Sequence, residues 1–275
     1  QKYSLTVSRL EGKNQIDING GQIGLHNEAR GQITIQYFDG LGRPIQTVQR
    51  GITPTKQDLA TFTEYDGAGR EWKQYLPIPS AGNGAFVDYS AFNSGTGIYA
   101  TDGRPFSETL YEASPLNRVL GAKKPGNAWN AHPSAINYDG NETTIPYFYV
   151  DNNTQKLTRG TPYATYTLYK TTVTDEDGKS ATEYKDKLGQ VILKCNASDV
   201  FTYYVYNDLG QLAYVLPPLA YDNLTANIAE GSSIEDTNAE LLKYAYLYKY
   251  DESGNCIAKR LPGCDWIYMV YDKAD

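Results

Sequence analysis

The 275-residue chain has few of the residues that most often build catalytic sites. It contains two histidines, three cysteines and one methionine. Neither histidine, His26 or His132, lies in a recognisable nucleophile motif. A hydrolase would need one of them to meet a carboxylate and a nucleophile in a cleft, so the sequence favours a non-catalytic protein.

The three cysteines are Cys195, Cys256 and Cys264, and they form no CxxC pair and have no histidine nearby. A zinc site is therefore not expected, and the sequence predicts no cofactor. A disulfide between Cys256 and Cys264 stays open, without support from the spacing.

The chain also lacks a basic excess and a long apolar run. Its formal net charge is −7, which argues against nucleic acid as a partner because phosphates bind basic surfaces. No run approaches 18 apolar residues, so no membrane span is predicted. The sequence begins at Gln1 rather than Met, which fits a mature secreted segment or a fragment.

Tyrosine, in contrast, is abundant, with 25 copies. Its ring packs on half-buried sheet faces while its hydroxyl remains hydrogen-bonded. Residues 243–263 show the arrangement best, since alternate positions share one face of an extended strand. The tyrosines on this predicted face are Tyr244, Tyr246, Tyr248 and Tyr250. A turn led by Asp251 then joins this strand to a second one, which predicts a β-hairpin.

The same hairpin recurs along the chain, with an acidic or amide residue leading the turn and a glycine three residues later. We expect a type I turn followed by a positive-φ residue that forms a bulge. The turns are led by Asp39, Asp66, Asp186, Asn207 and Asp251, and the turn glycines are Gly42, Gly69, Gly189, Gly210 and Gly254. Two more copies place Asn117 and Asp275 at the glycine position. An aromatic residue precedes most turns, as at Phe38, Tyr65, Tyr206, Tyr250 and Tyr271.

The leading aspartates are interpreted as turn caps rather than calcium ligands, because their spacing does not match an EF-hand loop. Arg43, Arg70 and Arg118 follow three of the turns. We expect them to pair with turn carboxylates or to stack on tyrosine rings.

Breaks in the repeat predict four regions. They are an opening segment at 1–30, a first block at 31–122 with a Gly/Ser/Asn-rich loop at 80–99, an insertion at 123–162, and a second block at 163–275 that ends in mid-repeat. Residues 147–150 are the one strand expected inside the insertion, and 163–173 is expected to be one long strand. The one predicted helix covers 233–242, with Asp236 or Thr237 as its cap.

The turns resemble the YD repeats of RHS proteins, as at residues 65–70 (YDGAGR), 206–210 (YNDLG) and 250–254 (YDESG). Longer stretches such as 37–48 (YFDGLGRPIQTV) and 107–119 (SETLYEASPLNRV) resemble the opening region of RHS polypeptides from Bacteroidetes-like bacteria. The resemblance covers roughly residues 30–275. Departures from the family pattern are Gln190, Gln211 and Asn255, which stand where other copies carry arginine. No motif matches the self-cleaving core of the family.

The resemblance implies an all-β fold, in which consecutive hairpins form one continuous curved sheet with irregular insertions and at most one or two short helices. In RHS proteins such sheets form shells around a C-terminal toxin, and in the distantly similar teneurins they form adhesion modules. We therefore expect a structural section of a longer secreted or cell-envelope polypeptide, whose partners are other regions of the same chain.

The tyrosine face at 244–250 leaves a second hypothesis open. Exposed tyrosines stack on sugars or on another protein, which would make this a binding module for a cell-surface glycan or protein. Buried tyrosines would instead pack between adjacent hairpins, and we favour this second interpretation.

Overall fold

The computed structural model describes residues 2–11, 16–19, 22–25, 30–93, 97–151, 154–196 and 200–272. The chain divides into two compact units, Gln1–Ala135 and Ile136–Asp275. The four regions expected from the sequence, an opening segment, two blocks and an insertion, are not tested by this division and stay a prediction. Of the residues singled out from the sequence, His26 and Asp275 lie outside the described residues.

The strands of the first unit pair antiparallel as a series of hairpins. They are β1 (Lys2–Glu11), β2 (Ile16–Asn19), β3 (Gln22–Leu25), β4 (Arg30–Phe38), β5 (Pro44–Gln49), β6 (Asp58–Tyr65), β7 (Glu71–Tyr75), β8 (Ile78–Ser80), β9 (Phe106–Tyr111) and β10 (Val119–Lys123). The hairpins that carry the repeated turns are β4–β5, β6–β7 and β9–β10, and β2 pairs antiparallel with β3 in a separate two-stranded sheet. β5 pairs with β6, and β7 pairs with β9, so each hairpin lies beside the next.

One face of this sheet carries the core of the first unit. The buried residues are Val48, Ala60, Tyr75, Ile78 and Phe92. Phe92 lies in the 3₁₀ helix Tyr89–Phe92, which belongs to the segment predicted to be an ordered loop. Further 3₁₀ helices cover Gly97–Tyr99 and Asn127–Ala131.

The second unit contains the remaining strands and both α-helices. They are β11 (Ser134–Gly140, which begins before the boundary), β12 (Ile145–Val150), β13 (Leu157–Tyr163), β14 (Tyr169–Thr174), β15 (Ser180–Lys185), β16 (Val191–Asn196), β17 (Phe201–Tyr206), β18 (Leu212–Leu216), α1 (Pro218–Asn227), β19 (Ser233–Ile234), α2 (Ala239–Tyr244), β20 (Tyr246–Tyr250), β21 (Cys256–Arg260) and β22 (Trp266–Tyr268). From β14 to β22, leaving out β19, each strand pairs antiparallel with the next.

A smaller sheet and a helix cover the main sheet of the second unit. β12, β13 and β19 form a three-stranded sheet. Phe148 of β12 meets the fully buried ring of Tyr203 edge-on at 5.3 Å. Tyr221 of α1 stacks on the same ring at 5.7 Å. The all-β prediction, with two short α-helices, is confirmed.

Several predicted boundaries are wrong. Residues 233–234 form a strand, and the helix begins at Ala239, where the side chain of Asn238 caps it. The sequence analysis did not predict α1, because a proline pair such as that at 217–218 can equally mark the end of a strand. Pro218 instead occupies the first turn of the helix, where the missing N–H costs nothing.

The insertion and the strand after it also differ from expectation. β13 ends at Tyr163 and β14 begins at Tyr169, so 163–173 is not one strand. The buried side chain of Asn141 accepts hydrogen bonds from the N–H groups of Thr167 and Leu168 at 2.9 and 2.8 Å, which holds the turn between the two strands. The predicted insertion carries β11, β12 and β13 rather than a single strand. The disulfide between Cys256 and Cys264 that the sequence left open is not formed.

Candidate functional site

The recurrent hairpin turns share one hydrogen-bond arrangement. At Asp39, the backbone N–H donates to the carbonyl oxygen of Arg43 at 2.9 Å, and the N–H of Gly42 donates back to Asp39 at 3.2 Å. The Asp39 carboxylate also accepts from the N–H groups of Leu41 and Arg43 at 2.9 Å. These backbone donors, with Arg43 first, lower the pKa of Asp39 below its usual value.

The same pair of backbone bonds recurs in the turns led by Asp66, Asp175, Asp186, Asn207 and Asp251. The turn glycines at 42, 69, 189, 210 and 254 have φ of 83°, 83°, 82°, 76° and 89°. Only glycine adopts this left-handed region without a steric penalty. The ladder register shifts beside the turn at each of these five glycines, as a bulge requires.

The turn at Asn117 is wider and uses different groups. Asn117 has φ of 54°. The Glu112 carboxylate takes the place of the leading aspartate and accepts from the Arg118 guanidinium at 2.8 and 2.9 Å. The Arg118 side chain, and next the Ser114 hydroxyl, lower the pKa of Glu112 to about 2.

Arg43 and Arg70 each make both contacts that the sequence left open. Arg43 pairs with its own turn aspartate at 2.7 Å and lies 4.4 Å over the ring of Tyr65 in the next hairpin. Arg70 likewise pairs with Asp66 at 2.7 Å and lies 4.4 Å over the ring of Tyr111. Each arginine thus joins its own turn to the hairpin that follows.

A second link runs in the opposite direction along the chain, and a tyrosine immediately before the turn provides it in five pairs. Its hydroxyl donates to the backbone carbonyl two residues after the previous turn glycine or its equivalent. The pairs are Tyr65 with Pro44, Tyr111 with Glu71, Tyr206 with Val191, Tyr250 with Leu212 and Tyr271 with Cys256, at 2.9, 2.9, 3.2, 2.9 and 2.9 Å. Burial raises the pKa of Tyr206 and Tyr250, so both hydroxyls keep their protons and remain donors. The sequence indicated the aromatic position but missed its partner.

In the second unit, amide side chains occupy the arginine position. Gln190 Nε2 donates to the carbonyl oxygen of Gly210 at 3.4 Å. A Cβ added at Gly210 would lie 3.0 Å from that nitrogen, and one at Gly254 would lie 3.3 Å from Nε2 of Gln211. The residue after one turn glycine therefore lies against the next turn glycine, which gives these glycines a packing role besides their φ.

The predicted tyrosine face is only partly formed. Tyr244 is the last residue of α2 and does not share the strand with the others. Tyr246, Tyr248 and Tyr250 lie on β20 and are half-buried, with the buried Leu247 on the opposite face. Tyr250 is engaged in a hairpin link. A binding role for these tyrosines stays a prediction.

Two of these tyrosines line a cavity of about 610 Å³ in the second unit. Its aromatic lining is supplied by Tyr214, Tyr248, Tyr250 and Trp266, and its carboxylates are those of Asp208, Asp251 and Glu252. The Trp266 ring is already covered by Lys249 Nζ at 4.5 Å and by the Arg260 guanidinium at 5.1 Å. The Trp266 ring is therefore already in contact with two cationic side chains of the protein itself.

The residues considered for catalysis are not brought together in the described part of the chain. His132 is exposed and ends a 3₁₀ helix, with its backbone N–H bonded to Trp129. The described residues contain no group of three or more His, Cys, Asp or Glu side chains placed to hold a metal. Across the same residues, no helix has the length and apolarity needed to cross a membrane.

The sequence matches one family of known proteins, and the fold matches several solved structures. A family described as a domain of unknown function (DUF6443) matches residues 14–144. The crystal structure of TcdB2-TccC3 without its hypervariable C-terminal region matches 99% of this chain and 12% of that chain, with a TM-score of 0.54 and 16% identity. The fold is RHS-like.

A second structure gives the same result. The Photorhabdus luminescens Tc holotoxin pore, carrying a mutation in TccC3, matches 94% of this chain and 11% of that chain, with a TM-score of 0.51 and 16% identity. The chain thus spans only a small part of the length of these toxin chains. Among curated proteins, none matches its sequence.

Proposed function

We propose that this chain is a non-catalytic structural section of a secreted or cell-surface RHS-repeat protein. It forms part of a β-shell that encapsulates or presents another region of the same long polypeptide, with a C-terminal toxin as the expected content. The observation that carries this proposal is the series of five tyrosine links, in each of which a tyrosine hydroxyl donates to a backbone carbonyl of the preceding hairpin.

These links support an extended sheet of repeated hairpins rather than a ligand-binding pocket. The tyrosine hydrogen bond and the arginine stack both join nearest neighbours, so another hairpin extends the array without any new type of contact. Each hairpin pairs one of its strands with the previous hairpin, and its other strand remains available to pair with the next hairpin. Such an array grows into an extended sheet, which is what a shell requires.

The resemblance of residues 30–275 to the opening regions of RHS polypeptides supports a source among Bacteroidetes-like bacteria, with the protein secreted or held at the outer surface. The RHS-like fold supports the structural role, as part of a β-shell. The partners are then the other parts of the same polypeptide.

Limited proteolysis of the complete polypeptide tests the shell. We expect the region that follows this chain to resist protease while the sheet is folded and to become cleavable once mild denaturant opens it. The control is the same C-terminal region produced alone. Equal cleavage rates for the enclosed and the isolated region would overturn the proposal.

The cavity lined by Tyr248 and Trp266 favours a second candidate, a carbohydrate-binding module. Its volume lies in the usual range for small ligands, and aromatic rings with carboxylates suit sugar binding. The cations over Trp266 and the engaged Tyr250 hydroxyl weaken this candidate relative to the shell.

Glycan-array binding tests that candidate directly. A sugar site would bind glycans, and Tyr248→Ala would abolish that binding while Tyr268→Ala, at a residue that is 73% exposed and does not line the cavity, would not. Absence of binding by the unaltered protein, or equal binding by both variants, would exclude the cavity as a sugar site.

A further inference from the structure

One buried hydroxyl group of the second unit has no hydrogen-bond partner. Tyr214 lies on β18 and is only 5% exposed. Within the part of the chain that the structure describes, no donor or acceptor bonds its hydroxyl. The fully enclosed side-chain atoms without a partner in that part are Nε of Arg159 and Nε of Arg260, so the Tyr214 hydroxyl is not sealed from solvent. Buried polar groups are nearly always bonded, and this one is free to bond a ligand.

The exposed remainder of Tyr214 faces the cavity of about 610 Å³ described above, because Tyr214 is one of its lining residues. Val150 and Leu247, which are 5% and 1% exposed, also line this cavity. Leu247 is the register partner of Tyr214 on β20. The cavity therefore combines an apolar wall with one hydroxyl that the fold leaves unbonded.

The charged side chains around the cavity favour a cation as its ligand. The lining carries one ammonium group, that of Lys249, and the carboxylates of Asp208, Asp251 and Glu252. Lys249 Nζ is already paired with Asp236 at 2.8 Å. Among the described residues, neither an ion pair nor a hydrogen bond engages the exposed Glu252 side chain. The lining therefore keeps an excess of negative charge, with three carboxylates against one ammonium group that has its own partner.

The Tyr214 hydroxyl itself suits a cationic hydrogen-bond donor. Burial, followed by the nearby Asp236 carboxylate, raises the pKa of Tyr214 to about 12, against the opposing effect of the Arg260 guanidinium. The hydroxyl is therefore uncharged at neutral pH, and its oxygen has lone pairs that accept from an N–H donor. An ammonium group supplies such donors, whereas an anionic ligand would meet the negative lining.

The placement of the carboxylates indicates what kind of cation fits. The described residues contain no group of three or more His, Cys, Asp or Glu side chains placed to hold a metal ion, so the three carboxylates do not converge on one point. A compact metal cation needs several oxygen ligands at about 2.0–2.6 Å. An extended ligand with separate ammonium groups reaches separate carboxylates, and its methylene segments suit the apolar wall at Val150 and Leu247.

We propose that this cavity binds a linear aliphatic polyamine, with its ammonium groups directed at the carboxylates and one N–H donating to the Tyr214 hydroxyl. The volume lies in the usual range for small-molecule sites. The inference does not depend on the shell. It assigns a cationic ligand to the cavity in which the second candidate function places a glycan, and the measurements below distinguish the two.

Isothermal titration calorimetry of the full chain with spermidine tests the proposal. We expect saturable binding that weakens as NaCl is raised, because salt screens the attraction between charges. Glu252→Gln should weaken spermidine binding by about threefold, the usual scale for one solvent-exposed charge pair. The matched control is Glu230→Gln, at an exposed residue outside the cavity, which should leave the affinity unchanged.

Tyr214→Phe isolates the contribution of the hydroxyl. We expect it to weaken spermidine binding by about tenfold, the scale of a hydrogen bond to a charged group. Its stability toward urea should be unchanged or higher, because no bond within the protein is lost. Tyr268→Phe is the control, since Tyr268 is 73% exposed and does not line the cavity, and it should change neither quantity.

The proposal is overturned if the spermidine heats do not saturate, if MgCl₂ gives the same isotherm, or if Glu252→Gln and Glu230→Gln weaken binding equally. Lower stability of Tyr214→Phe would show that the hydroxyl serves the fold instead. Binding of the neutral sugar cellobiose without binding of spermidine would assign the cavity to a glycan. None of these results bears on encapsulation, which the protease experiment measures separately.

Discussion

The Tyr250 hydroxyl donates a 2.9 Å hydrogen bond to the carbonyl oxygen of Leu212, a residue in the preceding hairpin. Tyr250 precedes its own turn glycine by four residues, and Leu212 follows the earlier turn glycine by two. The same offsets relate Tyr65 to Pro44. The repeated tyrosine is therefore a connection between hairpins as well as a residue of its own strand.

Removing this hydroxyl should weaken the sheet measurably. We expect Tyr250→Phe to lower the free energy of unfolding by about 1 kcal/mol, the usual net contribution of one hydrogen bond. Urea denaturation measures the change. Tyr268→Phe is the control, because Tyr268 is 73% exposed and should change stability little. Equal effects of the two substitutions would show that the link contributes nothing.

Gly210 should tolerate alanine less well than Gly178 does. Both have positive φ, 76° and 78°, so both substitutions cost about 1–2 kcal/mol from the backbone. Only at Gly210 would the new Cβ also lie 3.0 Å from Gln190 Nε2, while Gly178 has open space.

Thermal or urea unfolding of both alanine variants measures this difference. Adding Gln190→Ala to Gly210→Ala should remove the excess cost. If the two glycine variants unfold alike, the packing role of the turn glycine is wrong.

Acid should weaken the turn at Asn117. The folded pKa of Glu112 is about 2, below its ordinary 4.5, because Arg118 donates to the carboxylate. A carboxyl whose pKa is lowered by folding stabilises the protein above the unfolded pKa. Its contribution is lost as pH falls from about 4.5 to about 2.

Melting temperatures measured across this pH range test the effect. Glu112→Gln should show a shallower loss than the unaltered protein. Asp39 and Asp66 also have lowered pKa values and remain in both proteins, so their contribution cancels in the comparison. Parallel curves would contradict the assignment.

Asn141 should be among the most sensitive polar positions. It is 1% exposed, accepts from two N–H groups and donates to the carbonyl oxygens of Thr143 and Ala164 at 2.9 and 2.7 Å. We expect Asn141→Ala to cost about 3 kcal/mol, since several buried backbone groups lose their partners. Urea denaturation measures this change, and Thr61→Ala, at an exposed position of β6, serves as the control.

The hairpins could be predicted from the sequence because their chemistry is local. The leading aspartate, the glycine and the residue after it lie within five positions, so one short motif specifies the turn. Helix α1 could not be recognised, since a proline pair both ends strands and begins helices, and the choice depends on packing. Tyr221 and Leu224 are buried against the sheet, and this burial decides for the helix.

The sequence alone therefore determined the turn type, the repeat of hairpins and the all-β class, because backbone sterics and short-range hydrogen bonds act within a few residues. The tertiary structure decided what lies between the turns. It showed which carbonyl each tyrosine reaches, which ring each arginine covers, and that Tyr244 belongs to a helix. The tyrosine and arginine contacts join residues 15 or more positions apart, where only the packing of the folded chain selects the partner.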